Sequence, residues 1–213
     1  MKRILTLVLL GCLVFALGCE EKKNDDATPI NGNGNGNGNG NGNDTTVISG
    51  EIAIDHIDGY VAQSDGIQIG TPVVFYLRYN NNTGNAITGM TNGFRIWSPN
   101  GATWGTLTAE DVGLIKDTYM DGGVFLNPFS ITGTGIDTMG IGGFSINKGI
   151  PDGYNDVAFS LQIGPLSGSD LGKQICLDST TYPPGGPWIW AFSGAASVYP
   201  RWDGPYCYTI VSQ

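Results

Sequence analysis

The sequence predicts an all-β protein, a single antiparallel β-sandwich that follows an N-terminal tether. Over several short segments, apolar residues alternate with polar ones, which is typical of strands with one buried face. The chain of 213 residues also contains 34 glycines and 11 prolines, and they recur as turns between these segments. Good helix formers are sparse, so long helices are not expected. Short strands separated by such turns favour a sandwich of antiparallel sheets.

Two segments show the alternation most clearly. In 157–163 the apolar side chains are predicted to share one face: Val157, Phe159, Leu161 and Ile163. Segment 73–79 repeats the pattern, with Arg78 on the opposite face. Further strands are predicted at 50–57, 91–97, 123–131, 139–146, 174–177, 187–192 and 206–211. We allow one short helix, at 109–111, inside the stretch where the strand pattern is weakest.

The N-terminus has the composition of an export signal. Lys2 and Arg3 precede an apolar run at 4–18 that only Thr6 dilutes. A basic start and a short apolar run are typical of a secretory signal peptide. The run is shorter than the roughly 20 residues that a membrane-spanning helix needs. We therefore expect export rather than a transmembrane span.

The apolar run ends in Phe15-Ala16-Leu17-Gly18-Cys19, which resembles the lipobox of bacterial lipoproteins. The sequence departs from the commonest form, with Ala16 where Leu is usual and Leu17 where a smaller residue is usual. The resemblance implies cleavage before Cys19, attachment of lipid such as palmitate to that cysteine, and a stable anchor made by more than one acyl chain. Cys12 is a second candidate, but Arg3 lies too close to leave a full apolar segment before it. The competing interpretation is a plain secreted protein.

These features divide the chain into a signal peptide at 1–18, a tether at 19–46 and a β-sandwich domain at 47–213. The tether contains an alternating Asn-Gly run, which has no apolar surface to bury and is predicted to be disordered. The expected location is the cell envelope, on a bacterial membrane and facing the periplasm or the exterior. The membrane itself, reached through the N-terminal lipid, is the first predicted partner.

The net charge of −9 falls entirely on residues 44–213. From Asp44 onward there are 15 acidic and six basic residues, and 6 − 15 gives −9. Because such a surface repels phosphate backbones, we expect no nucleic-acid partner. The charge is compatible with cationic partners.

Cys176 and Cys207 are predicted to form a disulfide, since an exported protein meets an oxidising environment. Closing a loop of roughly 30 residues should stabilise the fold by about 3–4 kcal/mol on the chain-entropy model. In each of the two predicted strands the cysteine alternates with the apolar residues, so it lies on the polar face of the strand. We therefore expect neighbouring strands bridged on the face away from the core. A bridge buried between the sheets, as in immunoglobulin domains, is the competing arrangement.

Segments 70–77 (Gly-Thr-Pro-Val-Val-Phe-Tyr-Leu) and 93–97 (Gly-Phe-Arg-Ile-Trp) follow each other across a glycine-rich loop. In this order they resemble the cohesin-type sandwiches of bacterial extracellular proteins. The resemblance implies an immunoglobulin/cohesin-like fold. It does not extend to the Trp- and Cys-rich end at 188–207, so the partner and the binding mode stay open.

No catalytic constellation is predicted, and we expect no enzyme activity, no cofactor and no metal site. His56, the single histidine, lies beside Asp55 and is interpreted as a solvated loop residue. Asp152 and Asp156 could ligate calcium through oxygen atoms, but Asp-Gly is ordinary turn chemistry. An extracellular hydrolase is kept as the least favoured hypothesis.

Aromatic residues give the most suggestive signal for binding. The candidates lie in or near the segment enclosed by the cysteines: Tyr182, Trp188, Trp190 and Trp202. Exposed rings could stack on sugars or anchor a protein, and buried rings would fill the core. The leading prediction is a non-catalytic, membrane-anchored lipoprotein that presents a binding or structural β-sandwich, with an extracellular protein or glycan as partner. A carbohydrate-binding module that uses these aromatic residues is the alternative.

Overall fold

The computed structural model describes residues 50–131, 136–181, 186, 188–194 and 196–212. Two sheets pack face to face as a sandwich. Sheet A has the order β1-β4-β9-β6. Its strands are β1 (Glu51–Asp58), β4 (Val73–Asn80), β6 (Thr108–Glu110) and β9 (Asn155–Ile163). Its three ladders are all antiparallel.

Sheet B is built around β5 (Ile87–Trp97), which pairs with β8 on one edge. On its other edge β5 pairs with β10 over 93–97 and with β11 over 87–91. The remaining strands of this sheet and their neighbours are β2 (Tyr60–Val61), β3 (Gly66–Gln68), β7 (Gly123–Ile131), β8 (Ile136–Phe144), β10 (Gln174–Thr180), β11 (Ile189–Phe192), β12 (Ser197–Val198) and β13 (Tyr206–Val211). β7 pairs with β8, and β13 continues the sheet from β10 to β3 and β2.

The core lies between the two sheets and follows the predicted alternation. In β4 buried and half-buried residues alternate along the whole strand, so Phe75, Leu77 and Tyr79 point inward and are fully buried. Ile96 and Phe94 of β5 are fully buried as well. The predicted fold class, an all-β sandwich, is confirmed.

Two local predictions were wrong. A register shift in the β4–β9 ladder pairs Leu77 with Phe159 and Arg78 with Val157, which leaves Ala158 as an extra residue. The bulge buries Ala158 and turns Val157 away from the face of Phe159. Residues 108–110 form β6, and the helix instead occupies Ile115–Thr118 (α1).

The disulfide between Cys176 and Cys207 is confirmed. The two cysteines are direct partners in the antiparallel ladder of β10 and β13. Ile175 and Leu177, on either side of Cys176, belong to the core; on the opposite parity Cys176 is fully buried and Cys207 is exposed. The bridge therefore lies on the outer face of sheet B, as the parity argument predicts. Among the described residues, no helix combines the length and the apolar composition needed to cross a bilayer.

Candidate functional site

Trp190, a predicted ligand-binding residue, is fully buried. Its ring stacks on Tyr79 with centroids 5.5 Å apart, and its Nε1 donates a hydrogen bond to Asn92 Oδ1 at 3.3 Å. Gly50 touches the same ring so closely that a Cβ there would lie 1.9 Å from it. Trp190 is a packing residue of the core, and its ring has no face on which a sugar could stack.

Trp188 and Trp202 extend this buried aromatic group. Trp188 is 8% exposed and donates its indole N–H to the carbonyl of Gly93. The half-buried Trp202 lies edge-on to Trp188 and to Tyr206, with centroids 5.5 and 5.0 Å apart. The interplanar angles of 60° and 87° show that these rings do not form a flat row. Tyr182 and Cys19 lie outside the described residues.

One exposed aromatic side chain lies beside this group. Tyr199 lines a shallow surface groove of about 370 Å³ together with Trp188 and three hydroxyl side chains: Ser179, Thr180 and Thr181. Tyr199 is exposed. It belongs to the aromatic-rich segment of the sequence but is not one of the four predicted binding residues, and its place outside a strand gives no parity from which exposure can be predicted.

The outer face of sheet B carries an exposed pair of phenylalanines that sequence reasoning also missed. Phe125 of β7 is 50% exposed and Phe144 of β8 is 45% exposed. Their rings are nearly parallel, at 13°, with centroids 6.1 Å apart. Val124 and Leu126, the neighbours of Phe125 in sequence, pack against the core, so the alternation of the strand turns Phe125 outward. We call Phe125 and Phe144 the phenylalanine pair.

The signal that could have found the pair is an apolar residue on the wrong parity. Val124, Phe125 and Leu126 are consecutive, so one of them must leave the core face. In β8, Met139 and Ile141 are buried, and Phe144 falls on the opposite parity. Large apolar residues on the outward parity are informative because polar residues are expected there.

Glycines keep the face around the pair flat. Gly142 is the ladder partner of Phe125, and Gly89 is the ladder partner of Phe144. A Cβ at Gly142 would approach nothing closer than 3.7 Å, and one at Gly89 nothing closer than 3.5 Å. Packing within the chain therefore does not require glycine at either position. Glycine inside a strand often marks a place where another backbone approaches closely.

The outer face of sheet B also carries a polar group on β5 and β10. Arg95 and Asp178 are ladder partners on the outward parity, and Arg95 Nη2 lies 2.6 Å from Asp178 Oδ2. The guanidinium carbon also lies 6.0 Å from the centroid of the Trp97 ring. An apolar centre with a charged, hydrogen-bonded border is the usual arrangement of a protein-binding surface.

His56 lies on strand β1, within the strand predicted at 50–57, so its interpretation as a loop residue was wrong. A register shift leaves Asp55 bulged and makes His56 the partner of Tyr76 on the outer face of sheet A. The His56 and Tyr76 rings stack at 4.1 Å, and His56 Nδ1 lies 2.6 Å from Asp55 Oδ2. Hydrogen bonds from His56 and Arg78 lower the pKa of Asp55. No sequence signal marks this bulge, so the stacked pair could not be predicted.

The aspartates considered for calcium hydrogen-bond to backbone amides. Asp152 Oδ1 accepts from the Gly84 N–H at 2.8 Å, and Asp156 Oδ1 accepts from the Val157 N–H at 2.7 Å. Within the described part of the chain, no group of three or more His, Cys, Asp or Glu side chains is placed to hold a metal ion.

Comparison with known proteins returns similarity of structure without similarity of sequence. No protein-family model and no curated protein matches the chain. Among solved structures, a cohesin module of a family 33 glycoside hydrolase from Clostridium perfringens is 12% identical, with 78% of this chain and 99% of that chain covered and a TM-score of 0.48. The sixth cohesin of scaffoldin B from Acetivibrio cellulolyticus, solved in complex with a dockerin, has the same identity and coverage and a TM-score of 0.46. A type III cohesin from a cell-surface anchoring scaffoldin of Ruminococcus flavefaciens is 10% identical over 82% and 93% of the two chains, with a TM-score of 0.43.

The two packed sheets themselves make the protein an all-β sandwich. The three solved structures to which it is similar are all cohesin modules.

Proposed function

We propose that the protein is a non-catalytic, membrane-anchored lipoprotein whose β-sandwich binds a partner protein outside the cytoplasm, through the outer face of sheet B. The phenylalanine pair is the observation that carries this proposal. Phe125 and Phe144 are both about half exposed, and water is a poor environment for two large adjacent rings. An exposed apolar patch of this kind marks an interaction surface.

The surroundings of the pair favour a protein over a glycan. A sugar needs hydrogen-bonding side chains beside the ring on which it stacks. Here the ladder partners of the two rings are Gly142 and Gly89, which supply no side-chain donor or acceptor. A flat apolar centre, on a face that also carries the Arg95–Asp178 ion pair, suits a flat protein surface.

The pair is also held in place by the fold. The Gly122 N–H donates to the Phe144 carbonyl at 3.1 Å, and a Cβ at Gly122 would lie 2.3 Å from the Phe144 ring. The ring therefore lies directly on this glycine and loses little conformational entropy when a partner covers it. Pro128 lies in β7 and has no backbone N–H to donate. This limits the pairing of another strand with the edge of the sheet that β7 forms. These features favour side-chain contacts with the face over strand addition at the edge.

The anchored part of the proposal rests on the N-terminus. A basic start, an apolar run and a lipobox-like end at Cys19 support export and lipidation. The Asn-Gly-rich composition of 19–46 supports a spacer between that anchor and the β-sandwich domain.

The anchor is tested by metabolic labelling of the full chain with an alkyne analogue of palmitate. We expect the label on the wild-type protein and on Cys12→Ser, and none on Cys19→Ser. Label retained by Cys19→Ser, or a mature protein without acyl chains, would contradict lipidation at Cys19.

The binding face is tested with the detergent-solubilised full chain and the secreted and envelope proteins of its source bacterium. A candidate partner is identified by its retention on wild type and on Tyr199→Ser and by its absence from the uncoupled matrix. Direct titration with the purified partner should then show at least about a 30-fold weaker Kd for the double variant, because two central aromatic contacts are removed. Equal affinity of the wild type and the double variant would overturn the proposal.

A further inference from the structure

The outer face of sheet A carries a second surface feature, a groove of about 430 Å³. Its lining combines aromatic, apolar and acidic side chains: His56, Tyr76, Val112, Leu114, Asp156 and Val157. Sheet A and sheet B form opposite layers of the sandwich, so this groove and the phenylalanine pair are separate surfaces.

The floor of the groove is a rigid aromatic stack. The rings of His56 and Tyr76 lie 4.1 Å apart at an angle of 12°. The Tyr76 hydroxyl donates to Asp58 Oδ2 at 3.0 Å, and His56 is tied to Asp55 at 2.6 Å. Each ring is thus fixed at its polar end by a carboxylate, and the stack stays in one orientation.

The wall of the groove is an apolar turn that the fold holds open to solvent. Leu114 is 62% exposed, and Val112 is exposed as well. Leu114 has a φ of +54°, a backbone conformation that costs a non-glycine residue free energy. A leucine is therefore displayed to water in a strained conformation, which is a costly arrangement unless another molecule contacts it.

Contacts on both sides of Leu114 fix the turn. The Gly113 N–H donates to the Ala158 carbonyl at 2.9 Å, and a Cβ at Gly113 would lie 2.6 Å from the Val157 carbonyl oxygen. The Asp111 carboxylate accepts hydrogen bonds from the backbone N–H groups of Ile115 and Lys116, both at 2.7 Å. The turn is attached to the bulge of β9, and the exposed wall is a feature of the folded state.

The charge around the groove is predominantly negative. Asp156 lies in the lining and, within the described part of the chain, has no ion-pair partner. Asp58 hydrogen-bonds to Tyr76 and raises the pKa of that hydroxyl, with burial and the charge of Glu110 as further causes. Arg78, a basic side chain on this face, is engaged by Asp55 and by the Asn155 carbonyl.

From these observations we infer that the groove binds an extended segment of a partner protein in which a lysine or arginine is flanked by apolar residues. The basic side chain lies against Asp156, where a cation gains a charge-assisted hydrogen bond from the carboxylate. The apolar neighbour covers Leu114 and Val112, which removes their surface from water. The net charge of −9 also attracts a basic segment and repels an anionic membrane surface.

The test uses the full chain in detergent and three capped synthetic peptides as probes: Lys-Leu-Lys-Leu-Lys, Glu-Leu-Glu-Leu-Glu and Lys-Ser-Lys-Ser-Lys. Fluorescence anisotropy should show saturable binding of the first peptide and affinities at least about tenfold weaker for the other two. The second peptide lacks the basic charge, and the third lacks the apolar side chains. Leu114→Ser and Asp156→Asn should each weaken binding of the first peptide by about fivefold or more. Leu171→Ser, at an exposed leucine outside the groove lining, is the matched control and should leave binding unchanged.

Both groove substitutions are at surface positions, and near-UV circular dichroism checks that the variants keep the native fold. The inference would be overturned if Lys-Leu-Lys-Leu-Lys showed no saturable binding, or if Leu171→Ser lost as much affinity for this peptide as the groove variants do. The double variant Phe125→Ser/Phe144→Ser should bind the peptide as the wild type does. Failure of this groove is therefore distinguishable from failure of the proposed protein-binding face.

Discussion

Two aromatic regions of the molecule differ in solvent exposure, and the difference is the opposite of what the sequence suggests. The tryptophan-rich segment near the C-terminus is conspicuous in the sequence, yet Trp190 is fully buried and Trp188 nearly so. Phe125 and Phe144 are inconspicuous members of two strands, and both are about half exposed. Aromatic density in a β-protein therefore does not predict a binding surface. The parity of each ring along its strand, and the residue opposite it in the ladder, decide which rings reach solvent.

The two regions also differ in how their polar atoms are satisfied. The indole N–H groups of Trp188 and Trp190 donate to Gly93 and Asn92 inside the fold. A phenylalanine has no such group, so Phe125 and Phe144 can be covered by a partner without a hydrogen bond to replace. The tryptophans stabilise the sandwich, and the phenylalanines are available for contact.

The largest expected effect is on the stability of the fold, when a buried tryptophan is substituted. Trp190→Ala should lower the free energy of unfolding by about 3–5 kcal/mol, because it leaves a large cavity beside Tyr79 and removes the donor to Asn92. Urea unfolding followed by circular dichroism measures the change. Tyr199→Ala, at an exposed ring, is the control and should stay within about 0.5 kcal/mol of wild type. Similar values for the two variants would break the comparison.

The disulfide encloses the tryptophan-rich segment, since Cys176 and Cys207 are 31 residues apart. Cys176→Ala/Cys207→Ala should lower the free energy of unfolding by about 3–4 kcal/mol on the chain-entropy model. Because the bridge lies outside the main core, the native strands should still pair, and the near-UV spectrum of the tryptophans should persist below the transition. A double variant that loses this spectrum in buffer would show that the bridge holds the aromatic core together.

A substitution beside the exposed phenylalanine pair should have a small effect on stability and a large effect on partner binding. Gly142→Val should leave the urea midpoint unchanged or raised, since a Cβ there has room and valine favours strands. The same substitution should weaken partner binding by about tenfold or more, because it raises a side chain on a face that glycine keeps flat. A strong loss of stability would mean that Gly142 serves packing within the chain.

The smallest expected effect is on alkaline stability. Burial, followed by the neighbouring Tyr206, raises the pKa of Tyr208 to about 12 in the folded protein, against an ordinary value of 10. Its contribution to stability is therefore fully present below pH 10 and is lost as the pH rises toward 12. The urea midpoint of wild type should fall between pH 10 and 12, and Tyr208→Phe should fall less steeply. Parallel curves for the two proteins would contradict a buried neutral Tyr208.

The larger strands could be predicted because each has one buried face. Strands β7 and β13 have the predicted ends, 123–131 and 206–211. The short strands β2, β3 and β12 were missed, since two or three residues are too few to show a period. The helix at Ile115–Thr118 follows a left-handed leucine and is held by Asp111, a start that the usual capping residues do not signal.

The candidate site was less predictable than the fold, because it depends on pairing between strands. The parity of Phe144 against Met139 and Ile141 turns it outward, but its place beside Phe125 follows from the register of the β7–β8 ladder, which no single strand reveals. The groove on sheet A depends on two bulges, at Asp55 and at Ala158. Each shifts the parity of a strand by one residue and brings His56 and Val157 to the outer face. The position of the disulfide could be predicted, since both of its strands are regular.

Site-specific cross-linking in living cells tests the central claim most directly. A photoreactive phenylalanine analogue is placed at position 125 of the full chain, and at position 199 in a second strain as the matched exposed control. We expect one discrete protein adduct from position 125, absent when Gly142→Val is also present, and no such adduct from position 199. No adduct at position 125, or the same adduct from both positions, would contradict a protein-binding face at the phenylalanine pair.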